Sequence, residues 1–187
     1  MNEKQQTKVT PAFDWQDIEG HFNFQQIYSQ EVAKAQDGDN FLEIGCFLGR
    51  STSYLAQAIK ASGKNITIHV IDTFEGTGYK PIIPFIETFK NNMKACGVLD
   101  IIKIYEGTSD FYRETFEDEF FDFIYVDGDH ENIELDILNY LPKVKKGKTF
   151  AGHDYQHPTV AKFVNKLLGL ENILFQLNTW IFTRKIK

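Results

Sequence analysis

The chain has 187 residues, of which 42% are hydrophobic and 25% charged, and its net charge is −6. This length and composition are typical of one soluble globular domain. The acidic balance argues against a general nucleic-acid-binding protein, because such a protein needs a basic face to neutralise phosphates. No apolar run is long enough to span a membrane, and the polar N-terminus lacks the apolar core of a signal peptide. We therefore expect a cytoplasmic protein with no nucleic-acid or membrane partner.

Helical and strand-like segments alternate along most of the chain. A polar tail over residues 1–12 precedes a predicted helix over 13–36, in which apolar residues recur at helical spacing. The predicted strands that follow cover residues 41–45, 66–71, 101–105, 120–126 and 149–152, and the predicted helices cover 51–61, 84–95, 110–116, 132–141 and 159–168. The lysine-rich stretch 143–148 is predicted to be a solvated turn.

The end of the chain departs from this alternation. Residues 172–177 and 179–184 predict two strands with no room for a helix between them, so they must pair antiparallel. The alternation elsewhere implies a parallel sheet with helices on both faces, and right-handed crossovers make a doubly wound sheet the simplest topology. The predicted fold class is α/β, with a doubly wound, mostly parallel sheet that carries one antiparallel strand at its C-terminal end.

Acidic side chains lie where the predicted parallel strands end. In open α/β sheets, ligands bind in the crevice outside the carboxyl ends of the strands. The strand-end residues are Glu43, Asp72, Glu106, Asp127 and the pair His153-Asp154. This placement exceeds what the general polarity of loops would give, and it predicts a ligand site at this edge of the sheet.

The first strand runs into a turn with glycine at both ends, Gly45 and Gly49. Glycine allows a tight turn and a close approach of the backbone to a ligand. The dinucleotide fingerprint G-x-G-x-x-G is absent, because Phe47 and Leu48 stand within the turn. Asp72 ends the next strand, where a carboxylate can accept hydrogen bonds from both hydroxyls of a ribose. The alternative for Asp72 is a purely structural cap of a turn.

At this point the sequence resembles a known family. Residues 43–52 look like the nucleotide loop of class I S-adenosylmethionine-dependent methyltransferases, and residues 71–76 look like their second acidic motif. Residues 123–130 and 152–155 resemble the branch that includes small-molecule and sugar O-methyltransferases. The resemblance implies a Rossmann-like S-adenosylmethionine-binding domain over residues 37–187, preceded by an N-terminal tail and helix over 1–36.

The resemblance also implies cofactor contacts from several strand ends. The implied contact residues are Glu43, Gly45, Cys46, Gly49, Ser51, Asp72, Thr73, Phe74, Thr108, Ser109 and Asp127. Within this set, Asp72 would hold the ribose, Thr108 and Ser109 would lie near the adenine, and Asp127 would sit close to the methyl group. The sequence departs from the family at Phe47, where the family has its middle glycine.

Methyl transfer to a hydroxyl requires an oriented acceptor that loses its proton. A general base contributes typically about 10²–10⁴-fold, and a bound divalent cation can act by lowering the pKa of the hydroxyl. One alternative makes His130 or His153 the base, with Asp127 beside the methyl group. Another alternative is implied by the resemblance, because some relatives bind Mg²⁺ at the ends of their fourth and fifth strands. It places Mg²⁺ or Mn²⁺ on Asp127, His153 and Asp154, where the histidine favours the softer ion. In the plainest alternative, His130 caps a helix and His153 bonds to backbone.

The leading hypothesis is therefore an S-adenosylmethionine-dependent O-methyltransferase that acts on a small molecule. The alternatives are a nucleotide-cofactor oxidoreductase, which would want the missing fingerprint, and a catalytically silent module that only binds S-adenosylmethionine. Residues 76–84 are predicted to form a mobile lid. Only this loop and the N-terminal residues remain to form an acceptor pocket, which indicates a compact acceptor, an open cleft or a site completed in a homodimer.

Overall fold

The computed structural model describes residues 13–76 and 85–186. The predicted tail over 1–12 and residues 77–84 of the predicted lid lie outside these ranges. The strands are β1 (Asn40–Ile44), β2 (Thr67–Asp72), β3 (Ile102–Glu106), β4 (Phe121–Val126), β5 (Val144–Gly152), β6 (Ile173–Gln176) and β7 (Thr179–Thr183). The α-helices are α1 (Gln25–Lys34), α2 (Arg50–Ser62), α3 (Ile86–Ala95), α4 (Ile133–Tyr140) and α5 (Pro158–Leu168).

The seven strands form one sheet in the order β3-β2-β1-β4-β5-β7-β6. The first five strands pair in parallel, and β7 runs antiparallel to both of its neighbours, β5 and β6. The strand order reverses direction at β1 and β4, which start the two halves of the sheet. The predicted fold class is confirmed, including the single antiparallel strand near the C-terminus.

Helices cover both faces of the sheet, because side chains along each strand alternate between two apolar cores. Along β1, Phe41 enters the core that α1, α2 and α3 complete, whereas Leu42 and Ile44 enter the core that α4 and α5 complete. In the described ranges 13–76 and 85–186, no helix is both long enough and apolar enough to cross a membrane. The two-sided burial leaves the carboxyl edge of the strands as the place for a ligand.

The first predicted helix is shorter than the sequence indicated. Its α-helical part is α1, preceded by a single turn of 3₁₀ helix over Trp15–Asp17. Between them, Gly20 has a φ of +142°, a conformation that interrupts a helix. The guanidinium of Arg50 donates to the carbonyls of Ile18 and Gly20, at 3.1 and 3.2 Å, and holds this segment away from helical geometry.

The predicted short helix over residues 110–116 is wrong. The segment forms successive turns, in which the Tyr112 amide donates to the Ser109 carbonyl at 3.1 Å and the Thr115 amide donates to the Tyr112 carbonyl at 3.0 Å. Phe111 is 75% exposed. Short helices depend on burying an apolar face, and this segment turns one of its largest apolar side chains outward.

The lysine-rich stretch is not a solvated turn, because β5 begins at Val144 and runs through it. Lys145 and Lys148 reach the buried carboxylate of Asp122 at 2.7 and 3.1 Å. Lys143 is buried as well, and its ammonium donates to the Phe116 carbonyl at 2.8 Å. These lysines, which the sequence predicted to be solvated, thus bind acceptors on neighbouring segments.

Candidate functional site

A cavity of about 230 Å³ opens at the carboxyl ends of β1, β2, β3 and β4. Eight of the predicted cofactor residues line it: Gly45, Cys46, Ser51, Asp72, Thr73, Thr108, Ser109 and Asp127. Three others, Glu43, Gly49 and Phe74, do not line the cavity, and all three are buried beside it. The cavity therefore gathers residues from four separate strand ends into one space.

The loop after β1 is held tightly against the end of β4. Gly45 has a φ of +82°, and a Cβ atom there would overlap the carbonyl oxygen of Asp127. Gly49 has a φ of +90°, and a Cβ atom there would overlap the side chains of Phe89 and Met93. Left-handed backbone and close packing therefore both require glycine at these two positions. This explains the glycine at each end of the turn in the sequence.

Asp72 braces the same loop. One carboxylate oxygen accepts the backbone N–H groups of Cys46 and Phe47, at 2.8 and 2.9 Å, and the other accepts that of Phe74 at 2.7 Å. Asp72 thus caps the turn, as one of the two alternatives from the sequence predicted. A carboxylate has about four acceptor sites, so Asp72 retains acceptor capacity on the cavity that it lines.

Glu43 acts from behind the cavity wall. Its buried carboxylate accepts hydrogen bonds from the hydroxyls of Tyr28, Ser51 and Thr52, at 2.9, 2.6 and 2.5 Å. Burial raises the pKa of Glu43 to about 7, although these three donors oppose the rise. The contacts fix the first turn of α2 on the sheet and so orient Ser51, which does line the cavity.

Aspartate and histidine side chains from the loops after β4 and β5 contact one another beside the cavity. His153 Nδ1 lies 3.1 Å from Asp154 and 3.6 Å from Asp127, and its Nε2 lies 2.8 Å from Asn23 Oδ1. His130 Nε2 lies 2.8 Å from the other oxygen of Asp154. Asp127 lines both the main cavity and the smaller pocket that contains the two histidines. The cluster therefore adjoins the cavity through Asp127.

Opposing charges shift the pKa values within this cluster. Burial disfavours a charged His153, yet the hydrogen bonds to Asp127 and Asp154 prevail and raise the pKa of this imidazole to about 9. The same contact with His153 holds the pKa of Asp154 well below its ordinary value. Burial raises the pKa of Asp127, against the influence of His153.

The plainest explanations of the two histidines are wrong. The residue that caps the turn after β4 is Asp129, whose side chain accepts the Glu131 amide at 3.0 Å, and not His130. His153 bonds to side chains rather than to backbone, through Asn23 and the two carboxylates. Both imidazoles are therefore held by side chains, and Asp154 contacts the two of them.

The three residues predicted to hold a metal fit a divalent cation. One ligand atom each from Asp127, His153 and Asp154 lies within 4.8 Å of the others. Because its raised pKa keeps His153 protonated at neutral pH, a cation would have to displace the Nδ1 proton. With Nε2–H still donated to Asn23, the neutral imidazole would then present the Nδ1 lone pair toward the carboxylates. Two carboxylate oxygens and one imidazole nitrogen suit Mn²⁺ better than Mg²⁺.

Several cavity residues were not predicted from the sequence. Asp136 on α4 is 2% exposed, accepts a hydrogen bond from the Ser109 hydroxyl, and has a pKa that burial raises to about 7. Asp136 lies on the apolar face of α4 with Ile133 and Ile137, and this position in the sequence could have predicted a buried carboxylate. Arg50 and the segment 19–21 also line the cavity, and nothing in the local pattern indicates that this segment folds back over it.

Comparisons with known proteins bear on the family and the fold of this chain. Residues 42–155 match the sequence model of a methyltransferase domain family. The comparison with curated protein sequences finds no match.

Among solved structures, TomG, an O-methyltransferase of Streptomyces achromogenes in complex with SAM, has a TM-score of 0.65 at 16% identity, over 90% of this chain and 82% of that one. The Bacillus cereus O-methyltransferase in complex with SAH has a TM-score of 0.62 at 16% identity, over 84% and 76%. The SAH-bound Podospora anserina methyltransferase PaMTH1 has a TM-score of 0.63 at 20% identity, over 85% and 78%. At these identities the structures establish a shared fold.

Proposed function

Because this chain belongs to the methyltransferase domain family, which matches residues 42–155, we propose that it transfers the methyl group of S-adenosylmethionine to a hydroxyl oxygen of a small molecule. The observation that carries the proposal is the cavity that joins the first loop, Asp72 and Asp127 at the carboxyl edge of the sheet. The carboxylates on its wall favour a ligand that carries a positive sulfonium. The solved relatives bound to SAM or SAH support the same choice of donor.

The position of Asp127 suggests where transfer takes place. This residue lies between the main cavity and the pocket that holds His130 and His153. A donor in the cavity would present its methyl group at this boundary, and an acceptor hydroxyl would approach from the histidine side. Holding the two reactants in line can lower the barrier by roughly 7–11 kcal/mol, so orientation is the main contribution asked of the protein.

Two routes remain for removal of the acceptor proton. In the first, Asp127, His153 and Asp154 hold a divalent cation, which when bound lowers the pKa of the acceptor hydroxyl. In the second, His130 is the base, because its Nε2 faces Asp154 and, within residues 13–76 and 85–186, no group is hydrogen-bonded to its Nδ1, which can therefore take a proton. His153 is a weaker candidate, since both of its ring nitrogens already face oxygen atoms.

Calorimetric titration with S-adenosylmethionine and S-adenosylhomocysteine tests the donor. We expect micromolar binding that Asp72→Ala abolishes, because this change removes both the loop brace and a wall of the cavity. Glu87→Ala, which removes an exposed carboxylate of α3 that pairs with Lys90, is the matched control and should bind normally. Absence of binding by the wild-type chain would refute the proposal.

Turnover with a panel of hydroxylated acceptors then separates a working enzyme from a silent binding module. Loss of activity in EDTA, with recovery on Mn²⁺, supports the first proton route, whereas indifference to both together with loss in His130→Ala supports the second. Nothing on the cavity wall favours the oxidoreductase alternative, and the family match opposes it. The small acceptor, the cytoplasmic location and the homodimer stay predictions from the sequence.

A further inference from the structure

The turn between β6 and β7 carries an exposed apolar side chain on a strained backbone. Leu177 and Asn178 form this turn, and Leu177 is 79% exposed with a φ of +53°. Left-handed backbone is costly for a residue with a Cβ atom, and glycine adopts it without that cost. Leucine at this position therefore gains stability neither from its backbone nor from burial within the fold.

The turn is fastened to the loop that carries two of the candidate metal ligands, His153 and Asp154. The side chain of Asn178 donates to Oδ1 of Asp154 at 2.9 Å and accepts the Gln156 amide at 2.8 Å. The Tyr155 amide donates to the Asn178 carbonyl at 3.1 Å. Oδ1 of Asp154 also lies 3.1 Å from Nδ1 of His153, so a single oxygen joins the turn to the candidate metal site.

Leu177 belongs to a group of apolar side chains beside that site. Phe175, two residues earlier, is 45% exposed, and its ring centre lies 4.3 Å from that of Tyr155, the residue after Asp154. Tyr155, Phe175 and Leu177 are called the hairpin patch below. Single exposed apolar residues are common on protein surfaces, whereas a group of them typically marks a binding surface. The hairpin patch adjoins the candidate site through Asp154.

The position of the hairpin patch favours one class of occupant. The proposed function brings the acceptor hydroxyl to the histidine side of Asp127, and the rest of the acceptor must then lie against neighbouring surface. An apolar surface stabilises an apolar body in proportion to the area removed from water. It disfavours a sugar, whose hydroxyls would lose water without gaining partners. A second copy of the chain is a poorer occupant, because each copy has a net charge of −6.

We propose that the hairpin patch binds the apolar body of the methyl acceptor while its hydroxyl lies beside Asp127. This inference rests on the proposed function and narrows its substrate class to alcohols or phenols with an apolar body, as opposed to sugars. Leu177 is then a specificity-determining residue, and its burial against the acceptor offsets the strain of its backbone. Asn178 positions the turn by its contact with Asp154.

Equilibrium dialysis at saturating S-adenosylhomocysteine tests the inference with 2-naphthol, which carries one hydroxyl on an apolar body. We expect the full chain to bind 2-naphthol more tightly than methyl glucoside. Leu177→Asn should weaken 2-naphthol binding about 5- to 10-fold, as expected for partial burial of a leucine side chain, and should leave S-adenosylhomocysteine binding unchanged. Because asparagine adopts left-handed backbone more readily than leucine, this variant should unfold at a higher urea concentration. Its loss of binding would therefore not come from a loss of folding.

The control is Leu174→Asn. Leu174 is 70% exposed on β6, where side-chain alternation places it on the opposite face from Phe175. This variant should bind 2-naphthol as the wild-type chain does. An equal loss in both variants would indicate non-specific adsorption to exposed leucines, and it would overturn the inference. Unchanged 2-naphthol affinity in Leu177→Asn would overturn it too.

Three further outcomes distinguish the remaining alternatives. If the wild-type chain binds S-adenosylhomocysteine but prefers methyl glucoside or does not retain 2-naphthol, the inference is wrong and the proposed function stands. If Leu177→Asn converts a dimer into a monomer in sedimentation experiments and leaves 2-naphthol binding intact, the hairpin patch holds a second copy, which also overturns the inference. If the wild-type chain does not bind S-adenosylhomocysteine, the proposed function fails and the inference fails with it.

Discussion

Asn23 and His153 are 130 positions apart in the chain, and the Oδ1 atom of Asn23 lies 2.8 Å from the Nε2 atom of His153. This contact ties the segment before α1 to the end of β5. It also fixes which ring nitrogen of His153 faces Asp127 and Asp154, at 3.6 and 3.1 Å. The side-chain amide of Asn23, from the N-terminal segment, therefore orients one of the candidate metal ligands.

The first prediction concerns that site. We expect His153→Ala to abolish Mn²⁺ binding and Asn23→Ala to weaken it about 10- to 100-fold, because partners of a metal-binding histidine typically contribute this much. Calorimetric titration with Mn²⁺ is the measurement, and Gln30→Ala, an exposed position on α1, is the control. Equal Mn²⁺ affinity in all variants would show that the ion does not use His153.

The second prediction concerns the pH dependence of stability. In the folded chain burial raises the pKa of Glu43 from 4.5 to about 7. Between these values the folded chain holds a proton that the unfolded chain has lost, so the free energy of unfolding falls as pH rises. The contribution of this group is on the order of 3 kcal/mol. Glu43→Gln should therefore flatten the fall between pH 4.5 and 7, as measured by urea denaturation without cofactor.

The control for this measurement is Glu87→Gln, which changes an exposed glutamate. It should leave the slope as in the wild-type chain. Asp136 has a pKa raised to about 7 by burial as well, so Glu43→Gln should retain part of the slope. A variant with the full wild-type slope would mean that Glu43 is ionised in the folded chain at low pH.

The third prediction separates close packing from backbone strain at Gly45. Alanine at Gly63 or Gly45 adopts a left-handed backbone, at φ values of +72° and +82°, and this alone costs about 1–2 kcal/mol. A Cβ atom at Gly63 meets no atom within 4 Å, whereas one at Gly45 overlaps the Asp127 carbonyl. We expect Gly45→Ala to lower the free energy of unfolding clearly more than Gly63→Ala does. Equal losses in denaturant titrations would rule out the packing argument.

The fourth prediction concerns Asp122, whose buried carboxylate meets Lys145, Lys148 and the Asn40 amide. Asp122→Ala leaves these donors without their partner and should lower the free energy of unfolding by about 2–3 kcal/mol. Glu119→Ala removes the ion pairs of a half-exposed carboxylate with Lys146 and, at 3.6 Å, with Arg184, and should cost under about 1 kcal/mol. If thermal denaturation shows the same loss of stability for Asp122→Ala and Glu119→Ala, Asp122 contributes no more than an exposed charge.

The sequence predicts the strand ends well, because each short apolar run stops at a polar residue or glycine. Its alternation also identifies the sheet, and most element boundaries lie within a residue or two of the predicted ones. It misses the start of β5 because lysines at 145–148 look solvent-exposed, and their pairing with Asp122 depends on the neighbouring strand. It misses Asn23 and Arg50 because the fold of the segment 18–24 is set by contacts with distant residues.

Both tryptophans of the chain border the candidate site. Trp15 lies over the guanidinium of Arg50, with 5.6 Å between its ring centre and Cζ, while the indole N–H of the buried Trp180 donates to the His153 carbonyl at 3.2 Å. One indole thus neighbours the cavity through Arg50, and the other lies behind the histidine cluster. The intrinsic fluorescence of the unlabelled protein is consequently a built-in optical reporter. Substitution of either tryptophan by phenylalanine isolates the signal of the other.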